Sequence, residues 1–295
     1  MILFAPASGT ESAAYLSQIE NLVSHGYVVA CLQGPEASNA ISFEDTRLTD
    51  FEADMRRAFF SPGPKTKKAI LARAEGFEQS RETAQSTKVR FAFNQMILLA
   101  TGHSQRAPFA GRVDLEHVGA FGHASGGNAV ATLCASDIHI SACLDEDGWT
   151  ANGLLAQAQP RELPNQPFLW IDLPLKWPRQ DALTYAHMNA AEFRRLATLG
   201  AAAADRELQS RMRRAYKVSL LAPDLTDKNF TDGPLVWSMR RGRIENRKAR
   251  AALAIINTYS RTFFDKYLKN QSAPLLDSTG NSPFPAVRIQ RYGMR

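Results

Sequence analysis

The chain has 295 residues, 44% hydrophobic and 22% charged, which is enough to bury one substantial core. The formal net charge of +6 gathers in Lys65-Thr66-Lys67-Lys68, Arg211-Met212-Arg213-Arg214 and Arg240-Arg241-Gly242-Arg243. No aromatic platform or recognition motif stands beside these clusters, so nucleic acid is excluded as the expected partner and contact with a membrane surface is disfavoured. No run approaches the roughly 18 apolar residues of a membrane span. Met1 is followed by strand-like residues instead of a secretory leader, which leaves the compartment undetermined. Cys31, Cys134 and Cys143 lie in apolar segments without metal-ligand spacing and are expected to be buried free thiols. Neither a metal nor a cofactor is implied, because the histidines are scattered.

Strand-like and helix-like runs alternate, which predicts an α/β fold with a mostly parallel central sheet covered by helices on both faces. The first strand is expected at Ile2 to Ala5. A helix follows over Ser12 to His25, with Tyr15, Leu16, Ile19, Leu22 and Val23 on one face, and Gly26 ends it. Further strands are expected at Tyr27 to Leu32, His117 to Gly122, Ile140 to Asp145, Phe168 to Leu173 and Tyr216 to Leu221. A charged excursion spans about 42–88, with a break at Ser61-Pro62-Gly63-Pro64 and a short helical stretch near Lys68 to Glu78, before a helix at Val89 to Leu99. A second excursion, about 181–214, is alanine-rich and helical in pattern. The last helix is expected over Ile244 to Leu268, where Leu253, Ile256, Tyr259, Phe263, Phe264 and Tyr267 form an apolar face. One domain, 1–269, is therefore expected, followed by an irregular tail, 270–295, rich in Ser, Pro and Gly.

The informative motif is Gly122-His123-Ala124-Ser125-Gly126-Gly127, between a predicted strand and a predicted helix. A G-x-S-x-G elbow places a nucleophilic serine on a strained turn above the sheet. Here the third position is Ala124, and a methyl group cannot attack a carbonyl.

Several motifs in linked order resemble the platelet-activating factor acetylhydrolase family. They are Phe4-Ala5-Pro6-Ala7-Ser8-Gly9, Tyr15, Leu22 to Ala30, Arg90 to Met96, Gly111 to Leu115, the elbow, Asp147-Gly148-Trp149, and Asn229-Phe230-Thr231-Asp232-Gly233-Pro234-Leu235. The resemblance implies an α/β-hydrolase fold acting on a small ester or lipid-like ligand. Because Met1 to Phe4 already reads as an interior strand, that fold is expected to lack its first strands. The resemblance also assigns the nucleophile to position 124, the triad acid to Asp147 and the triad histidine to position 227, occupied here by Asp227. Oxyanion-hole donors fall on the backbone N–H groups of Ser8 and Ser125.

Losing nucleophile and base together predicts a site impaired or inactive as an esterase. The alternatives are a non-catalytic binding protein and an enzyme repurposed around Asp147 and Asp227 as a proton-sharing pair. Asp227 is expected rather to turn to solvent or to pair with a basic neighbour such as Lys228. Ser125 as a shifted nucleophile and His187 as a replacement base are weaker readings. His123 is expected to pack beneath the elbow. Among Trp149, Trp170, Trp177 and Trp237, Trp149 is a pocket candidate because it follows the acid, and His187 is the other pocket candidate.

Overall fold

One sheet of seven strands carries the architecture, in the order β2-β1-β3-β4-β5-β6-β7. The strands are β1 Ile2–Ala5, β2 Val29–Cys31, β3 Val118–His123, β4 Ile140–Glu146, β5 Phe168–Asp172, β6 Ala215–Leu220 and β7 Val287–Tyr292. In this computed structural model residues 1–34, 67–103, 109–148, 164–173, 189–222, 225–240, 247–277 and 282–293 are described. All neighbouring strands run parallel except β7, which pairs antiparallel with β6 at one edge.

The helices are α1 Leu16–Ser24, α2 Lys67–Thr101, α3 Ser125–Ser136, α4 Ala190–Arg211, α5 Gly233–Arg240, α6 Arg247–Leu268 and the short α7 Pro274–Asp277. Strand alternation separates two cores. Ile2 and Phe4 of β1 join Phe121, Leu144, Phe263 and Phe264 on one face. Leu3 and Ala5 join Ala120, Val130, Phe93 and Trp170 on the other. Both faces are buried, which is why the parallel strands read as nearly continuous apolar runs. β1 lies between β2 and β3, an interior position that its buried sequence Ile2-Leu3-Phe4-Ala5 requires. Together the parallel sheet and its two helical layers make this an α/β-hydrolase fold.

Three expectations need correction. The tail is not irregular: α7 and β7 belong to it, and Val287 and Tyr292 are buried against the sheet. The excursion and helix expected before β3 are, from Lys67 onward, one continuous helix of 35 residues. The second excursion, by contrast, is helical as its pattern predicts, forming α4 over Ala190–Arg211. Finally, Cys134 and Cys143 are joined in a disulfide, and the free Cys31 is exposed. Packing of α3 across β4 brings the two Cα atoms to 6.5 Å despite a separation of only nine residues, within bridging range. The stretch 42–66, His187, Trp149 and Trp177 lie outside the described residues.

Candidate functional site

The elbow is built as its glycines predict. Ala124, between β3 and α3, has φ 51 and ψ −118, a conformation that costs an alanine roughly 1–3 kcal/mol. The fold enforces it from both sides. Its N–H donates to Glu146 O at 2.8 Å, and its carbonyl accepts from Asn128 N at 3.1 Å. A Cβ on Gly126 would run into the carbonyl oxygens of Ala5 and Pro6, and one on Gly127 into the Asp145 carboxylate. The motif therefore survives as a packing requirement between β1, β3 and α3, although its third side chain is inert.

Position 147 also keeps a special backbone, with φ 55 at the end of β4. The Asp147 N–H donates to Ile171 O at 2.8 Å, and its Oδ1 accepts from Leu173 N at 3.3 Å, so the half-buried carboxylate is anchored to the end of β5. Gly148 N donates to Asp145 Oδ1 at 2.9 Å. Asp145 and Glu146 are both fully buried, so three consecutive acids occupy one strand end.

Asp227 opens the 3-10 turn Asp227–Phe230 and is exposed. The turn is tied down by its other residues. Asn229 Oδ1 accepts from Thr226 N at 2.8 Å, Asp232 Oδ2 accepts from Ser17 N at 3.0 Å, and Phe230 is buried with its ring 5.0 Å from that of His123. The Asn-Phe-x-Asp pattern thus acts as a clasp to α1. An exposed Asp227 does not form, with half-buried Asp147, the shared buried carboxylate pair that a proton-sharing role needs.

His123 lies beneath the elbow, as expected for a packing residue, with Nδ1 2.8 Å from the Tyr15 hydroxyl. Burial pulls its pKa down to about 3, so the ring is neutral. Tyr15 in turn accepts from Ala7 N at 3.3 Å, linking the elbow strand to the loop that carries Ser8. The neighbouring Glu146 carboxyl is pushed up to about 8 by burial, opposed by the Gln18 hydrogen bond and reinforced by Asp145 and Asp147. Gln18 Nε2 donates to Glu146 Oε2 at 3.1 Å and to Phe230 O at 2.7 Å. Tyr15, Gln18 and Glu146 were not singled out as site residues from the sequence. The residues that assemble them stand far apart in the chain, and the signals in the sequence were the place of Tyr15 among the linked motifs and the run Asp145-Glu146-Asp147.

Ser8 and Ser125 are brought together. Ser8 N donates to Ser125 Oγ at 2.8 Å, and Ser125 Oγ donates to Ser8 Oγ at 2.9 Å. The Ser125 proton is therefore directed at a hydroxyl, which is no general base, and among the described residues no imidazole contacts it. A small cleft borders the same loop, lined by Ser8, Gly9, Thr10, Leu32, Gln85 and Lys88. Trp170 belongs to the core, with Lys217 Nζ 4.3 Å from its ring centroid, and Trp237 is exposed.

No family model matches this sequence, and no curated protein matches it. Among solved structures, a ferulic acid esterase from Streptomyces cinnamoneus has a similar fold. The TM-score is 0.60 at 19% sequence identity, covering 98% of this chain and 72% of that one.

Proposed function

We propose that this chain is a carboxylic-ester-hydrolase-class protein, of the platelet-activating factor acetylhydrolase type suggested by its motif order, whose site receives a small ester or lipid-like ligand without forming an acyl-enzyme at position 124. The observation that carries this reading is Ala124 itself: the backbone keeps φ 51 and ψ −118 where no nucleophile remains. In a serine hydrolase an imidazole takes the serine proton and an acid orients the imidazole. Here Asp147 stands at the acid position, Asp227 replaces the imidazole, and the attacking oxygen is absent. In this reading the backbone N–H groups of Ser8 and Ser125 are the remaining carbonyl donors, and such donors with binding support roughly 10³ to 10⁴ over the uncatalysed rate in triad-deleted enzymes. An esterase among proteins of similar fold agrees with an ester as the ligand class.

Labelling by a serine-directed fluorophosphonate tests this reading. The natural chain should remain unlabelled, whereas the Ala124→Ser/Asp227→His variant should label at position 124. Labelling of the natural chain at Ser125 would overturn it.

A further inference from the structure

Backbone donors of an oxyanion hole are useful only when nothing else occupies them. The Ser8 N–H, one of the two expected donors, already has an acceptor 2.8 Å away, the side-chain oxygen of Ser125. That oxygen is held from a second side, since its own proton goes to Ser8 Oγ at 2.9 Å. Both serines are only half-buried, so the arrangement is closed by their mutual contact and not by tight packing. Ser125 also supplies the second expected donor through its backbone N–H at the first position of α3. A single residue thus contributes one donor of the hole and fills the other with its hydroxyl.

We propose that the Ser125 hydroxyl is a built-in occupant of the oxyanion hole, standing where a ligand's carbonyl oxygen would bind, so that Ser125 must turn about its Cα–Cβ bond before the site accepts such a ligand. Ser125 is then a residue that sets ligand admission, and not a displaced nucleophile. The exchange is one acceptor for another at Ser8 N, with no covalent step. Its cost is the loss of the Ser125 to Ser8 contacts, each a neutral hydrogen bond and hence worth a few-fold in an equilibrium constant. The carbonyl ligand itself rests on the function proposed above, but the occupancy of the Ser8 donor does not.

Two measurements separate these levels. In the natural chain and in Ser125→Ala, hydrogen exchange at the Ser8 amide should differ, with protection falling about five- to tenfold when the hydroxyl is removed. Ser125→Thr, which keeps a hydroxyl, should restore protection. Unchanged protection in Ser125→Ala overturns the proposal whether or not any ester is a ligand. The second measurement is p-nitrophenyl butyrate hydrolysis in an Ala124→Ser/Asp227→His background. Adding Ser125→Ala there should raise kcat/KM about fivefold, because no hydroxyl has to be displaced. A fall in kcat/KM, with the Ser8 amide unaffected, assigns Ser125 a supporting role and contradicts the proposal. If that background is itself inactive, the proposed function fails alone and amide exchange still decides the role of Ser125.

Discussion

His123 and Glu146 are register partners at the ends of β3 and β4, and each keeps a buried atom, Nε2 and Oε1 respectively, without a hydrogen-bond partner among the described residues. They flank positions 124 and 147, which the proposed function assigns to nucleophile and acid. Burial acts on them in opposite directions, suppressing the charged imidazolium and the charged carboxylate alike.

This opposition predicts the pH dependence of stability. His123 has a folded pKa of about 3 against an ordinary 6.5, so between these values the unfolded chain binds the extra proton and stability rises with pH. Glu146 has a folded pKa of about 8 against an ordinary 4.5, so over that interval the folded chain holds the extra proton and stability falls with pH. The two slopes cancel between about pH 4.5 and 6.5 and leave a decline on either side. Glu146→Gln should abolish the alkaline decline and make the protein more stable than the natural chain at pH 9, by on the order of 4 kcal/mol. Denaturant melts from pH 4 to 9 measure this, and parallel pH profiles for the two proteins would exclude it.

The strain at Ala124 makes a separate prediction. Glycine adopts a positive φ without the Cβ penalty, so Ala124→Gly should stabilise by about 1 kcal/mol after allowing for the greater freedom of its unfolded chain. A lower melting temperature for this variant would show that the turn is not strained.

At Gly126 the opposite sign is expected. A Cβ there meets the Ala5 and Pro6 carbonyls, which are backbone and cannot swing away. Gly126→Ala should therefore cost about 3 kcal/mol or more, measured by denaturant unfolding.

The Cys134–Cys143 bridge closes a short loop between α3 and β4. Chain entropy gives such a loop about 3 kcal/mol of stabilisation. Cys134→Ala/Cys143→Ala should lose roughly that amount in equilibrium unfolding, and a chain that titrates with three free thiols when unfolded without reductant contradicts the bridge.

Much of the scaffold was legible because its signals are local. Each parallel strand is a compact apolar run, and the elbow glycines recur at a spacing that only a tight turn between strand and helix needs. β7 was hidden because Val287-Arg288-Ile289-Gln290-Arg291-Tyr292 is an edge strand with polar residues among few apolar ones, set in a Pro- and Ser-rich tail. The length of α2 was obscured by Gly76 and by the polar stretch Gln79 to Lys88, which carries no continuous apolar stripe. The Gln18–Glu146 bond spans 128 positions, and the Ser8–Ser125 contact spans 117. Ser125 was legible as a backbone donor and, more weakly, as a shifted nucleophile, but its contact with Ser8 was not, since the direction of its hydroxyl depends on where the Ser8 loop comes to rest.

The central claim, an intact hydrolase scaffold around a lapsed triad, is tested most directly by hydrolysis of short-chain p-nitrophenyl esters in four proteins: the natural chain, Ala124→Ser, Asp227→His and the double variant. The account predicts little turnover in the first three and a gain of at least about 10³-fold in kcat/KM when both residues are restored, because nucleophile and base act as a unit. Turnover in the natural chain equal to that of the double variant, surviving Ser125→Ala, would contradict it.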